Sequence, residues 1–399
     1  MATFPTVHAR KKFQKCPLHA SKVSIAINKL VSQEPCKFLS ILGTVQDNDV
    51  LKLADALKKN TGVESFFFGP KSKISNYGMT VVMEAIAENK HMITFGLWSE
   101  EANDHALTAV GNMLKTNAMI TSISVDYAYK VTGVGVQAFG KALHHNHALR
   151  TLSLKVGKTN DASMVPLFTA LGKKENVIRM LTFATYSEEE DERFGDKAAV
   201  VLAQSLKKNK ELLILSLSHT NVGDVGATGI FQALSKHPEL NHLTLRNCTI
   251  GDPGAMMAGQ YIASNPKLGE LILDHNNFGN HGAAFIGEAL VNNTHLNTLS
   301  LVNAPMSDVG ASAILQGLAG NDYLTDVVLR RTGQNVREFW REKKLPKISD
   351  ATMKGIKAMI ERNKQSAITR KQANLDAESK AQSNPGAGDS SSKVENTDL

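Results

Sequence analysis

The sequence predicts an α/β fold, a right-handed solenoid of about 11 β–α repeats, each 28–29 residues long. Three observations predict it. Apolar positions recur in a near-constant register, each unit changes from period-two to helical spacing, and an asparagine precedes most of the strands. A solenoid grows by adding units to one continuous core, so a chain of 399 residues need not divide into separate globular domains.

The repeat is clearest in four consecutive segments that begin at Asn209, His237, Asn265 and Asn293, with a spacing of 28 residues. Weaker copies precede them, and one longer step of 34 residues contains the acidic run 187–192. That run is either a solvated loop or a docking loop for a basic partner. The first apolar positions of the strands are Cys36, Val63, Met92, Ile120, Leu149, Ile178, Leu212, Leu240, Leu268, Leu296 and Leu324.

Each unit begins with L-x-x-L-x-L, which alternates as a short strand does. A loop and an apolar run at helical spacing follow. Asp224, Asp252 and Asp308 fall where helices are expected to begin, and they suit an N-cap or a first turn. Asparagine lies three residues before the strand in eight of eleven units. Because asparagine tolerates the left-handed conformation that ends many helices, we expect it to turn the chain there.

The terminal repeats of a solenoid need covers for their apolar faces. We therefore predict a basic N-terminal segment with a capping helix over residues 1–35 and the solenoid over 36–332. A C-terminal insertion and a second capping helix follow over 333–365. Residues 366–399 contain almost no large apolar side chains, so we expect a disordered tail there.

The strand motif is best represented by LNHLTLRNC at residues 240–248 and LGELILDHN at 268–276, with the helix start GDVGA at 223–227. These segments resemble the ribonuclease-inhibitor-type leucine-rich repeat, which NOD-like receptors and the Ran GTPase-activating protein also contain. The resemblance covers roughly residues 36–363. It implies a horseshoe whose strands line a concave face, and it implies protein binding only weakly, since one fold serves many functions.

The sequence contains no constellation of catalytic residues. Motifs for phosphate-binding loops, serine hydrolases and zinc proteases do not occur. The cysteines Cys16, Cys36 and Cys248 are too few and too scattered for a disulfide framework or a zinc site. We therefore expect no enzyme activity, no cofactor and no metal. With no apolar stretch of membrane-spanning length and no secretory signal, we expect a cytoplasmic monomer, although delivery into a host cell as an effector stays open.

A protein partner of unknown identity is the predicted ligand. Tryptophan and tyrosine dominate binding energies at interfaces, although Trp98 is explained equally by packing. The mixture of charges on the expected concave face favours a protein over nucleic acid, which needs a continuous basic stripe. The predicted partner-binding residues are Trp98, Asp126, Tyr127, Lys155, His219, His242, Arg246, Glu270, Asp274, His275, Asp326 and Arg330.

Two alternatives remain open at this point. The segment 330–371 carries thirteen Lys and Arg against four acids and could contact nucleic acid or an anionic membrane. Its helix is also explained as a cap. The second alternative, activation or regulation of a small GTPase, follows from the resemblance to the Ran activator. The early strand-to-helix loops at 71–75, 100–104 and 128–132 contain no arginine, which counts against it.

Overall fold

A computed structural model describes residues 20–32, 36–173, 175–329 and 346–383. Strands and helices alternate through these residues. The helices are α1 (Val23–Val31), α2 (Asp47–Lys59), α3 (Asn76–Glu88), α4 (Asp104–Leu114), α5 (Gly133–Leu143), α6 (Asp161–Leu171), α7 (Asp196–Leu206), α8 (Asp224–Leu234), α9 (Asp252–Ser264), α10 (Asn280–Leu290), α11 (Asp308–Ala319) and α12 (Asp350–Ser383). The strands are β1 (Phe38–Ile41), β2 (Thr44–Val45), β3 (Ser65–Phe68), β4 (Lys73–Ile74), β5 (Thr94–Trp98), β6 (Ser122–Ala128), β7 (Thr151–Val156), β8 (Met180–Thr185), β9 (Ile214–Ser218), β10 (His242–Arg246), β11 (Glu270–Ile272), β12 (Thr298–Ser300) and β13 (Asp326–Val328).

The main sheet confirms the predicted α/β solenoid. Within the described residues it has eleven parallel strands, which follow chain order from β1 to β13 and leave out only β2 and β4. Those two short strands pair with each other in a small second sheet. Equivalent positions of successive units lie side by side, as Leu215, Leu243, Leu271 and Leu299 do across β9 to β12.

The core lies between this sheet and the helices. Strand burial alternates, since one face of each strand packs on the helices while the other is partly exposed. All eleven predicted first apolar positions are buried, at 2% exposure or less. In the early units phenylalanine replaces the usual leucine. The rings of Phe66 and Phe68 lie edge to face at 5.3 Å, and Phe95 packs 6.4 Å from each of them. This replacement explains why the early copies are weak in the sequence.

The recurrent asparagines form a buried ladder. The amide of Asn117 donates to the carbonyls of Ile86 (2.8 Å) and Asn89 (3.1 Å) in the preceding unit. Its Oδ1 accepts the backbone N–H groups of Met119 and Ile120, both at 2.8 Å. One side chain therefore satisfies a helix end in the preceding unit and the turn into its own strand. Asparagines in equivalent positions are Asn60, Asn89, Asn146, Asn209, Asn265, Asn293 and Asn321.

The predicted reason for these asparagines was wrong. Asn60, Asn89 and Asn265 have φ of −74°, −69° and −99°, so their backbone is extended and not left-handed. The side chain, and not the backbone, requires asparagine. His237 takes the same place in its unit. Its Nδ1 accepts the N–H of Leu240 at 3.1 Å, and its Nε2 lies 2.9 Å from the carbonyl of Asn209, which needs a neutral ring that carries its proton on Nε2.

The aspartates at the helix starts connect neighbouring units. Asp224 is the first residue of α8, and its Oδ1 accepts the N–H groups of Gly251 (2.7 Å) and Gly254 (2.8 Å) at the start of α9. The carboxylate therefore lies in the first turn of its own helix, one of the two positions that the sequence suggested, and it caps the helix of the next unit, which was not expected. Residues in the same role are Asp104, Asp161, Asp196, Asp252 and Asn280.

The last helix is longer than predicted. Asn363, near the end of the capping helix predicted within 333–365, is fully buried and donates to the carbonyl of Leu324 at 2.9 Å. The helix nevertheless continues to Ser383, past residue 366, where the sequence suggested that a disordered tail begins. Alanine, serine, lysine and glutamine are the most frequent residues of this extension, and alanine, lysine and glutamine support a helix without burial.

The two cysteines in the described part of the chain differ in state. Cys36 is disulfide-bonded, which was not expected from the sequence, whereas Cys248 is a free and buried thiol.

The helices of the described residues were also compared with the requirements of a membrane span. None of them combines the length and the apolar character that crossing a membrane requires.

Candidate functional site

The face of the main sheet that the helices leave uncovered is here called the open face. It has a floor of small side chains, because the central position of each middle strand carries a hydroxyl residue. Larger side chains lie at the next outward-facing position of several strands, namely Trp98, Asp126, Lys155 and Arg246. The hydroxyl row consists of Ser124, Ser153, Thr182, Ser216 and Thr244.

Aromatic rings cover the open face in the early units. The ring of Phe67 stacks on Phe38 at 4.8 Å and lies 4.7 Å from Trp98. Glycine is required at position 96, because a Cβ there would lie 1.9 Å from the Phe67 ring. Trp98 is half-buried, and its Nε1 donates to the hydroxyl of Ser124 at 2.9 Å. Much of the Trp98 ring is therefore covered by neighbouring side chains, while the rest of it faces solvent.

A second group, the tyrosine cluster, consists of Asp126, Tyr127, Tyr129, Lys155 and Tyr186. The Tyr186 hydroxyl donates to Asp126 Oδ1, and Lys155 Nζ lies 2.8 Å from Asp126 Oδ2. The rings of Tyr129 and Tyr186 are 4.5 Å apart. Burial, followed by the Asp126 carboxylate, raises the pKa of Tyr186, so its phenol stays protonated and holds the carboxylate. Tyr127 and Tyr129 remain 40% and 49% exposed.

The acidic run 187–192 forms a loop that hydrogen bonds and an ion pair hold in place, while its central carboxylates are exposed. Arg193 donates to the carbonyls of Ser187 (2.9 Å) and Glu188 (3.0 Å), and Lys158 pairs with Glu192 at 2.7 Å. Hydrogen bonds from Lys158 and Ser187 hold the pKa of Glu192 below its usual value. The side chains of residues 188–191 are exposed. A role in docking a basic partner stays a prediction.

A third group, the basic cluster, consists of Arg193, His219, Arg246 and His275. His219 and His275 follow β9 and β11, and Arg246 ends the intervening strand β10. Both histidines have positive φ, 55° and 58°, a conformation that histidine adopts more readily than most residues. Burial, followed by the charges of Arg246, Arg193 and His275, lowers the pKa of His219 to about 4. His219 is therefore neutral at physiological pH.

Four of the predicted site residues lie elsewhere on the face or beyond the described residues. His242 and Glu270 pair across β10 and β11, with 3.4 Å between Nε2 and Oε2. Asp326 is exposed on β13. Arg330 lies outside the described residues. The His242–Glu270 pair and Asp326 belong to one row of the open face, which contributes the carboxylates of Glu270 and Asp326.

Asp274 differs from the expectation. It is only 4% exposed, and its Oδ1 accepts from the hydroxyl of Ser300 (2.5 Å) and the N–H of Val302 (2.9 Å). Its carboxylate therefore supports the end of the neighbouring strand and is not offered to a partner.

Comparison with known proteins agrees with this architecture. The family model for the leucine-rich repeat matches residues 208–231, 236–257 and 292–315, three of the units that the strands and helices define. The chain is a leucine-rich-repeat protein. The ribonuclease-inhibitor type stays a prediction from the motif resemblance.

Curated relatives match this leucine-rich-repeat protein over short segments. Leiomodin-2 of Mus musculus is 42% identical over 69 residues, which are 17% of this chain and 12% of that protein. Leiomodin-2 of Homo sapiens is 37% identical over 79 residues, or 20% of this chain and 14% of that protein. The match therefore spans only about a seventh or less of either relative.

Two solved structures resemble parts of the fold. The leiomodin-1 actin-binding site 2 aligns with a TM-score of 0.38 and 16% identity, over 46% of this chain and 96% of that chain. The complex of Rad7 and Elc1 in yeast aligns with a TM-score of 0.38 and 14% identity, over 76% of this chain and 88% of that chain.

Three of the predicted residues, Asp126, Tyr127 and Lys155, meet at the Asp126 carboxylate, whereas the repeat register did not include Tyr186 and Arg193. Both lie in the longest unit, where the insertion breaks the register that assigns a residue to the open face. Tyr129 was missed because β6 runs to Ala128, two residues longer than β5 or β9, before the loop begins. The signal available in the sequence was Tyr186 itself, which stands directly before the acidic run that interrupts the repeat register.

The part of the chain that the structure describes was searched for clusters of side chains that could bind a metal ion. No three His, Cys, Asp or Glu side chains there lie close enough together to hold a metal ion.

Proposed function

We propose that this leucine-rich-repeat protein is a non-catalytic scaffold that binds a protein partner on the open face of its sheet, with the tyrosine cluster at the centre of contact. The observation that carries the proposal is the pair Tyr127 and Tyr129, 40% and 49% exposed beside each other at the end of β6. Large amphipathic rings of this kind contribute most to binding energy in protein interfaces.

The tyrosine cluster is already ordered for binding. Tyr127 has φ of 56°, which is uncommon for a bulky residue. Asp126 Oδ1 accepts its N–H at 2.8 Å, while Lys155 and Tyr186 hold the same carboxylate from the other side. Because the network fixes the side chains before the partner arrives, binding loses less conformational entropy. Backbone strain kept in this way is typical of functional positions.

The charges of the open face favour a protein over a nucleic acid. The pair Asp126–Lys155 places opposite charges next to each other, and the carboxylate of Glu270 stands beside His242. Residues 188–191, which follow Tyr186 closely in the chain, add exposed carboxylates. A phosphate backbone needs an uninterrupted positive surface, which this arrangement does not provide.

A capture experiment tests the proposal. The full chain, a Tyr127→Ala/Tyr129→Ala double variant and a Tyr77→Ala control are immobilised, and bound proteins are identified by mass spectrometry. Tyr77 is a matched control, because it is 55% exposed but lies on helix α3. We expect the control to retain a partner that the double variant loses, with unchanged thermal unfolding of both variants.

Purified actin is a defined protein to include in the same experiment. Leiomodin-2 matches a segment of this chain in sequence, and leiomodin-1 contains an actin-binding site. Binding of actin would identify actin as a partner, whereas capture of another protein would identify a different partner for the same face. If the double variant retains every partner that the full chain captures, the open face at the tyrosine cluster is not the binding surface.

A further inference from the structure

The last helix carries its lysines on one side. Lys357, Lys364 and Lys371 recur every seven residues of α12, so they lie in one line along the helix, about 10 Å apart. Lys354 adjoins this line, about one turn before Lys357. These four are all the lysines of α12 whose side chains are described, and all are exposed. This side of α12 is here called the lysine face.

The last repeat anchors the helix without covering the lysine face. Ile356, Ile360 and Asn363 are buried, and α12 packs with this stripe on α11 and β13. Arg362 donates to the carbonyls of Leu318 (2.9 Å) and Ala319 (3.1 Å). The lysines project from the neighbouring side of the same helix, so they stay in solvent while the helix is held in place.

Most of the positive charge of the lysine face is not neutralised within the part of the chain that the structure describes. Glu361 lies on the same side and pairs with Lys364 at 2.7 Å. Lys354, Lys357 and Lys371 form no ion pair with any described residue. The lysine face therefore presents an exposed row of cations that an anionic surface complements.

Two exposed apolar side chains share the line of lysines. Ile368 and Leu375 are 62% and 51% exposed, and they too are seven residues apart. They alternate with Lys364 and Lys371 along the helix. A single exposed apolar residue needs no explanation. Two of them in register with a row of lysines form the pattern of helices that lie in a membrane interface, where apolar side chains enter the lipid and lysines stay at the headgroups.

The helix also continues beyond its support on the solenoid. The Arg370 guanidinium lies 4.1 Å from the centre of the Tyr323 ring and donates to the carbonyl of Asp322 at 3.0 Å. Residues 371–378, which follow it, are all exposed. Helical segments without tertiary packing are only marginally stable in water, so a surface along this side would stabilise the extension.

We propose that the lysine face of α12 binds an anionic membrane surface, with its lysines at the lipid headgroups and with Ile368 and Leu375 inserted between them. A straight row of side chains along one side of a helix fits a flat surface. Nucleic acid would attract the lysines too, but it offers nothing to the apolar side chains, and Glu361 would repel its phosphates. The lysine face is separate from the open face, so this site goes beyond the proposed function.

The test is co-sedimentation of the full chain with vesicles of phosphatidylcholine alone and of phosphatidylcholine mixed with phosphatidylserine. We expect binding to the mixed vesicles only, and weaker binding as salt is added. The triple variant Lys357→Gln/Lys364→Gln/Lys371→Gln should bind at least about tenfold more weakly, since each lysine near an anionic surface contributes to the affinity.

The matched control is Lys207→Gln/Lys208→Gln/Lys210→Gln, which removes the same charge from exposed lysines between α7 and β9. We expect this control to bind as the full chain does. Ile368→Ser/Leu375→Ser should also weaken binding, and that loss should persist when salt is added, because it comes from apolar contact. Thermal unfolding of the variants confirms that they fold.

Three results would overturn the inference. The first is equal binding to the two kinds of vesicle, or none to either. The second is an equal loss in both triple variants, which would assign the attraction to the net charge of the whole chain. The third is binding that Ile368→Ser/Leu375→Ser leaves unchanged, because the apolar side chains then do not enter the lipid. A duplex oligonucleotide is titrated in parallel by fluorescence anisotropy, and binding of it without binding of vesicles would assign the lysine face to nucleic acid and reject the membrane.

Discussion

Replacing Asn117 with alanine tests whether the asparagine ladder holds successive repeats together. Asn117 is 2% exposed, and its side chain makes four hydrogen bonds of 3.1 Å or shorter, two as donor and two as acceptor. Each such bond contributes about 1 kcal/mol net, and alanine leaves the backbone partners unsatisfied. The four bonds together give an expected loss of about 4 kcal/mol in the free energy of unfolding.

The assay is urea unfolding followed by far-ultraviolet circular dichroism, with hydrogen exchange at Met119 and Ile120 as a local measure. The matched control is Asn112→Ala, in the helix of the same unit. Asn112 is exposed and accepts only from Lys115 at its surface, so we expect a change within about 0.5 kcal/mol. A loss below about 1 kcal/mol for Asn117→Ala, or protection of both amides as in the unchanged chain, would refute the ladder argument.

Three further predictions follow from single side chains. Asp224→Ala should lower the free energy of unfolding by about 1–2 kcal/mol, because it removes the acceptor for the N–H groups of Gly251 and Gly254. Asp224→Asn should lower it much less, because Asn280 fills the same role in its own unit. Thermal unfolding and hydrogen exchange at Gly251 and Gly254 measure both effects. Burial lowers the pKa of His237 in the folded state. Below pH 6.5, the ordinary pKa of histidine, the unfolded chain therefore binds more protons than the folded chain, and the free energy of unfolding falls as the pH drops. His237→Asn should remove this part of the pH dependence and keep stability at pH above about 7.5, as urea midpoints across pH would show; an unchanged slope contradicts it. Burial raises the pKa of the Cys248 thiol to about 12. Alkylation followed by mass spectrometry should therefore find this thiol unmodified at mildly alkaline pH until the chain unfolds. Modification of Cys248 in the folded chain would contradict its burial.

The candidate site was only partly readable from the sequence. Asp126, Tyr127 and Lys155 lie in regular units, so their register placed them on the open face. The partner that organises them, Tyr186, is 60 residues from Asp126 and sits in the unit whose insertion breaks the register. Asp274 fitted the register equally well, yet its carboxylate is buried. Register gives the face of a strand to which a residue belongs, but not which of its polar neighbours it bonds.

By itself the sequence determined the fold class, the repeat length and the buried positions. It could do so because each strand and helix is specified by its own apolar periodicity, and each unit packs only on its neighbours. The tertiary structure alone decided why asparagine and aspartate recur, since their partners are backbone groups in adjacent units about 30 residues away. It also decided which charges and aromatic rings meet on the open face, because the stacking of units, and not any local pattern, sets the distances between their side chains.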